Sequence, residues 1–151
     1  MIPRMQRPLL VACLCTGALT LAGCSHSGDK RSAAPLWARI QARDWDGVGE
    51  LLAEDVVLDW PHDLVRIRGR ENFVEFNRTY PEGWSIEVLR VVAEGSTVVS
   101  EVRVPHDTLG PFFALSFFEV EGDRISSGRE YWVRETYEEP ASERARWFEP
   151  M

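Results

Sequence analysis

The stretch FFALSFFEVEGDRISSGREYWV, Phe112 to Val133, decides the fold. Apolar residues dominate up to Val120, an acidic turn with Gly122 follows at Glu121–Arg124, and Ile125, Tyr131, Trp132 and Val133 come after it. That order predicts a β-hairpin of two long strands. The first strand is apolar on both faces, with Phe113, Leu115 and Phe117 on one and Phe112, Ala114, Phe118 and Val120 on the other. A strand of this kind is ordinarily covered on both sides. In the second strand, simple alternation puts Ile125, Arg129, Tyr131 and Val133 on one face and Glu130 with Trp132 on the other. What sits beside Glu130 therefore matters most for function.

Working outward, Ser85 to Ala93 and Thr97 to His106 read as two more strands around a turn at Glu94–Ser96. Val98, Ser100, Val102, Val104 and His106 alternate against Val99, Glu101 and Arg103, so the hairpin is extended to four long antiparallel strands. Ahead of them the pattern is helical from Pro35, with Leu36, Trp37 and Ile40 on one face, up to about Arg43. Asp44 or Asp46 caps a second helix that carries Val48, Leu51 and Leu52 inward and closes at Glu54 and Asp55. Val56 to Trp60 is β-branched and apolar, a strand stopped by Pro61, and His62 to Arg68 is a loop or a short edge strand. Gly69 precedes a third helix, Arg70 to Thr79, with Phe73, Phe76 and Tyr80 along one side and Pro81 and Gly83 ending it. After Val133 the chain is polar until Trp147 and Phe148, which either dock or fray. The expected class is α+β: a cone of three N-terminal helices packed on a curved, mainly antiparallel β-sheet.

The front of the chain has another purpose. Residues 1–23, MIPRMQRPLLVACLCTGALTLAG, carry Arg4 and Arg7, no acid, and an apolar run from Leu9 to Ala22, the layout of a secretory signal peptide. Leu21, Ala22, Gly23 and Cys24 resemble the lipobox of bacterial lipoproteins, which implies cleavage before Cys24 and a diacylglycerol on its sulfur. Cys13 and Cys15 would leave with the leader, so no disulfide is available to the mature domain. Residues 24–34 read as the lipidated cysteine and a polar tether, His26 included, and 35–151 as the domain. The expected location is the extracytoplasmic face of a bacterial membrane, with the membrane as partner through lipid on Cys24.

Loss of Arg4 and Arg7 takes the formal charge from −7 to −9. Nucleic acid is thereby disfavoured as a partner, because its binding depends on Lys and Arg neutralising phosphates. Phosphate loops before a helix, GxSxG, HExxH and CxxC motifs are all missing from the sequence, so neither cofactor nor metal is expected. His62, His106 and Glu130 are too widely spaced to form a recognisable metal motif.

The runs ARDWDGVGELLAEDVVLDWP (Ala42–Pro61), GRENF (Gly69–Phe73) and GDRISSGREYW (Gly122–Trp132) together resemble the nuclear transport factor 2-like superfamily, in particular its SnoaL-like polyketide cyclase branch. The resemblance spans roughly Leu36 to Val133. It implies a cone whose mouth lies between helices and sheet, and a range of activities that includes isomerases, cyclases, epoxide hydrolases and dehydratases. Matching residue by residue, the ketosteroid isomerase base falls at Trp60, its oxyanion Tyr near Leu36, and its protonated Asp near Ala114 or Leu115; none of these side chains does that chemistry. The first Arg and Asp of the fold's epoxide hydrolases fall at Val102 and Val104, and only the acid on the last strand is matched, by Glu130. Dimerisation through the sheet, as in many relatives, is a further implication.

Glu130 is either a desolvated general acid or base, or a structural acid paired with Arg103 or Arg129. His106 ends the inward stripe of its strand and is either a base working near neutral pH or a capped turn residue beside Pro105 and Asp107. Trp60, Trp84 and Trp132, among the six tryptophans, are suited to lining an aromatic cavity, with His62 at its rim; Trp37 and Trp45 suit the core. Three functions follow: a lipoprotein that binds a small, largely apolar molecule in its cone; a cofactor-independent isomerase, cyclase or dehydratase using Glu130 and His106; and a non-catalytic dimeric module whose cavity is filled.

Overall fold

The computed structural model describes residues 30–136 and 143–149. The predicted hairpin forms the centre of the molecule: β5 (Phe112–Glu121) and β6 (Arg124–Arg134) pair antiparallel as the two middle strands of one six-stranded sheet. Gly122 turns the chain with φ 62°, a left-handed value that glycine adopts without a Cβ clash. Beyond β5 come β4 (Thr97–Val104) and the edge strand β3 (Glu87–Glu94), both antiparallel. On the other side, β1 (Leu52–Trp60) runs parallel to β6 and is flanked by the antiparallel edge strand β2 (Val65–Arg68). The full order is β2-β1-β6-β5-β4-β3, so the sheet is mixed, with one parallel pair.

Among the described residues three α-helices accompany it: α1 (Lys30–Ala42), α2 (Trp45–Glu50) and α3 (Arg70–Arg78). The third does not precede the sheet; it follows β2. Helix α1 packs on β3 and β4 while α3 packs on β1 and β2, which leaves room between them over the central strands. Helix α1 begins five residues before Pro35, so the proline lies inside the helix and its missing N–H leaves one backbone bond unmade there. The chain then reverses at Arg43 (φ 60°), and Asp44 caps α2 by accepting a 3.0 Å hydrogen bond from the Gly47 N–H. Helix α2 is shorter than its apolar spacing predicts: Leu52 already belongs to β1, where its partner is Ile125. Pairing with β6 takes over what local periodicity assigned to the helix.

Alternating burial makes the inner face of the sheet. Val98, Ser100, Val102 and Val104 of β4 are buried, as are Ala114, Ser116, Phe118 and Val120 of β5. They meet Leu36, Trp37 and Ile40 of α1, Val48 of α2 and Phe73 of α3 in one core. Each large aliphatic or Phe side chain among them contributes on the order of 1.5–3 kcal/mol of transfer free energy. The expectation that β5 is covered on both sides is not met among the described residues, since Leu115 and Phe117 are 40% and 39% exposed.

Strand β6 departs from simple alternation. Val120 pairs with Ile125 and Glu119 with Ser127, so Ser126 is an extra residue, a β-bulge whose hydroxyl donates to the Glu119 carbonyl at 3.2 Å. The bulge moves Ile125 to the inner face together with Glu130, not to the outer face with Tyr131. At the C-terminal end, Trp147 and Phe148 stand exposed and do not dock.

Candidate functional site

Glu130 points inward from β6 and is 2% exposed. Its strand neighbours set its partners. Ser116 lies directly across on β5, and its hydroxyl donates to Oε1 at 3.0 Å; Asp59 of β1 pairs with Arg129, which brings the next residue, Trp60, alongside, where its indole N–H donates to Oε2 at 2.8 Å. Both donors are neutral. The alternative of a structural ion pair is not realised: Arg103 pairs with Glu135 at 2.9 Å and Glu87 at 3.4 Å, while Arg129 is exposed on the other face. Burial raises the Glu130 pKa above its ordinary value, because the carboxylate loses water; the hydrogen bonds from Trp60 and Ser116, with a smaller influence of the nearby Trp132 N–H, pull only partly the other way. The Trp132 N–H itself lies outside hydrogen-bond geometry to any acceptor.

His106 is also buried, at the end of the β4 stripe, in an isolated bridge with Trp84. Its Nδ1 accepts the backbone N–H groups of Thr108 at 3.2 Å and Leu109 at 3.3 Å, so it is a capped turn residue. Acceptance at Nδ1 assigns the proton of the neutral ring to Nε2, which has no partner among the described residues. Trp84 is held from outside by Arg43, whose guanidinium lies 3.4 Å from the ring centroid, donates to the Trp84 carbonyl at 3.1 Å and pairs with Glu82 at 2.6 Å.

These side chains surround one cavity of about 210 Å³, between the helices and the inner face of the sheet. Trp60, Trp84, His106, Glu130 and Trp132 all line it. His62 does not; it is exposed in the turn after β1, and Asp63 takes its place on the lining. The reason is local: the chain turns at Asp63, whose N–H bonds back to the Trp60 carbonyl at 3.2 Å, and Leu64 follows in a left-handed conformation at φ 57°.

Phe76 and Tyr80, from the aromatic side of the third helical segment, and Trp37, which the sequence suits to the core, complete the wall. Trp60 meets Phe76 edge-on at 5.1 Å, Phe76 meets Tyr80 at 6.2 Å, and Tyr80 meets His106 at 6.4 Å. Trp37 packs edge-on against Trp132 at 6.4 Å and donates to the buried Ser100 hydroxyl at 2.9 Å. Buried Glu130 and Trp37, level with Ser116 and Ser100, mark the closed end of the cavity, His106 lies six residues beyond Ser100 at the other end of the stripe, and the exposed Asp63 and Phe76 mark the mouth. Ser116 was not singled out by the sequence reading. Its signal was there, a hydroxyl at an inward position between Ala114 and Phe118, where a polar group needs a partner. Cys24 and His26 lie outside the described residues.

The sequence profile of the SnoaL-like domain family matches residues 35–128. Among solved structures, a Kribbella flavida DSM 17836 protein named after ketosteroid isomerase is 29% identical, with a TM-score of 0.73 over 82% of this chain and 90% of its own. An NTF-2 like protein of unknown function from Burkholderia xenovorans LB400 is 20% identical, with a TM-score of 0.69 over 82% and 95% of the two chains, a likeness of fold. An M. tuberculosis LEH-like epoxide hydrolase is 25% identical, with a TM-score of 0.61 over 70% and 83%. No curated protein matches the chain.

Proposed function

Because the chain belongs to the SnoaL-like domain family, we propose that it uses the family's cone to bind a small, largely apolar molecule, and does so while anchored by lipid on Cys24 at an extracytoplasmic membrane surface. The observation that carries the binding part is the cavity itself. A space of about 210 Å³ remains between helices and sheet, walled by aromatic rings and closed by a single buried carboxyl. Since a cavity of about 150 Å³ accepts benzene, this one suits a molecule of roughly eight non-hydrogen atoms. That size disfavours the reading in which the cone is filled solid, and it is also too small for a steroid.

The anchoring part rests on the order of Arg4 and Arg7, the apolar run and LAGC. Changing Cys24→Ser should release the protein from the membrane fraction and abolish palmitate labelling. Retention of both would remove the anchor.

A second reading, cofactor-independent acid–base catalysis, is favoured by one feature: Glu130 is buried with neutral donors only, so it exchanges a proton more readily near neutral pH than an ordinary carboxylate. Two of the structural neighbours are named for reactions, ketosteroid isomerisation and epoxide hydrolysis. In this reading Glu130 moves the proton and the Nε2–H of His106 acts as donor.

Trp60, Trp84 and Trp132 make the cavity self-reporting. Titration with phenol, toluene or small alcohols should shift the tryptophan emission saturably and raise Tm by mass action. Ile86→Trp, which fills the cavity from its rim, should abolish both effects. A flat response to every probe of this size would overturn the binding function.

A further inference from the structure

The cavity is electrically one-sided. Its acidic groups are Glu130 at the closed end and Asp63 at the mouth, and no lysine or arginine among the described residues lines it. Of the nearby arginines, the exposed Arg134 lies over the Phe112 ring at 5.4 Å from its centroid, and three others are committed elsewhere. Arg43 lies on the outer side of the Trp84 ring and is paired with Glu82, Arg66 is paired with Asp59, and Arg129 is exposed on the far face of the sheet. The walls are ring systems, among them Trp37, Trp60, Trp84, Trp132, Phe76 and Tyr80, and each aromatic face carries the negative lobe of its quadrupole. Such a container repels anions. To a neutral molecule it offers contact area and the N–H groups of Trp84, Trp132 and His106, which have no partner among the described residues and suit an acceptor such as a hydroxyl oxygen, but the potential of rings and carboxyl goes unused.

Resting on the reading of this cavity as a ligand site, we infer that the ligand is a small organic cation, a tertiary or quaternary ammonium compound with its nitrogen among the ring faces and Glu130 as counter-charge. A primary ammonium is a poorer match because it needs three acceptors, and the Glu130 oxygens, each already accepting once from Trp60 or Ser116, leave about two lone-pair sites between them. An N-methylated cation spreads its charge over C–H groups that pack on rings and need no acceptor. The roughly eight non-hydrogen atoms that the volume allows cover a trimethylammonium head with a short arm.

Proton linkage follows. In the empty cavity burial holds Glu130 toward its neutral form, and an entering cation favours the carboxylate, so binding releases a proton and tightens as pH rises. Asp63, His106 and Tyr80 also face the cavity, and Asp59 and Arg129 lie on the opposite face of the same strands, so the release must be assigned by a Glu130 variant.

The deciding pair of probes is choline and 3,3-dimethyl-1-butanol, which share a shape and differ in having a charged nitrogen or a neutral carbon at the branch point. Calorimetric titration of the purified protein at pH 7.5 should give choline an affinity at least about tenfold higher, as cation–π contacts in a desolvated site supply. Choline affinity should rise with pH while that of the alcohol stays flat. In Glu130→Gln the gap should shrink several-fold, and an undiminished gap would exclude Glu130 as the counter-charge. Should that variant fail to fold, the wild-type comparison decides the ligand class by itself. Equal or tighter binding of the alcohol overturns the cation inference and keeps the small-molecule reading. Binding of neither probe at millimolar concentration overturns both.

Discussion

At the scale of single residues, Glu130 links burial to pH. Its carboxyl is desolvated and its partners are the neutral Trp60 N–H and Ser116 O–H, so its folded-state pKa is raised above the ordinary 4.5. A raised acid means the native state holds more protons than the unfolded chain. Its contribution is therefore fully present below 4.5 and is lost as pH rises through the higher folded-state value. Asp59 and Glu82, lowered by Arg66 and Arg43, behave oppositely and lose their contribution as pH falls into the acid range. Glu130→Gln separates the two. Gln keeps the shape, can accept from Trp60 and can donate to Ser116, so the fold should survive. Thermal melts should show the wild type declining above pH 4.5 and the variant flat there, with equal or greater stability at neutral pH; parallel profiles would mean that Glu130 is an ordinary acid. Glu130 and its aromatic company were legible from parity and residue type. The mouth was less so, because the turn geometry that swaps His62 for Asp63 depends on the left-handed Leu64, which no periodicity announces.

At the scale of elements, β6 is shaped by two residues without bulk. Ser126 forms the bulge, and Gly128 lies between Leu58 of β1 and Phe118 of β5, where an added Cβ would come within 2.6 Å and 2.7 Å of their side chains. Leu58 and Phe118 are 1% and 0% exposed and have nowhere to retreat. Gly128→Ala should therefore cost about 1–3 kcal/mol by overpacking, despite alanine's better backbone propensity. Urea unfolding measures this, and an unchanged midpoint would mean that the β1–β6 seam has slack. The hairpin itself was legible because its turn and two apolar runs are local signals. The bulge was not, since it exists only as a mismatch between two paired strands, and strict alternation placed Ile125 on the wrong face. The early start of β1 escaped for a similar reason: Leu51 and Leu52 fit a helical stripe, and only pairing of Leu52 with Ile125 settles the competition.

At the scale of the whole molecule, the helices cover one face of the sheet and, among the described residues, leave the other open. On that outer face the two central strands present Leu115, Phe117, Tyr131 and Val133, exposed at 40%, 39%, 36% and 61%, with the Phe117 and Tyr131 rings edge-on at 6.4 Å. Val92 on β3, across from Val99, is exposed on the same face. Contiguous apolar surface on central strands is uncommon in a protein that meets only water, and an interface needs about 800 Å² from each partner. We propose that a second copy of the chain covers this face. A two-fold pairing would set each central hairpin against its counterpart, with Arg103, Glu87 and Glu135 forming a polar rim of ion pairs. Sedimentation of the Cys24→Ser protein, which removes lipid as a cause of association, should give a dimer at micromolar concentration. Phe117→Glu should convert it to monomer with unchanged far-ultraviolet dichroism and unchanged cavity binding, because Phe117 points away from the cavity and its inward neighbours Ser116 and Phe118 are left in place. A wild type that sediments as monomer at these concentrations would refute the pairing. A variant that still dimerises would move the interface to an edge strand, β2 or β3, where unpaired backbone groups offer the alternative surface.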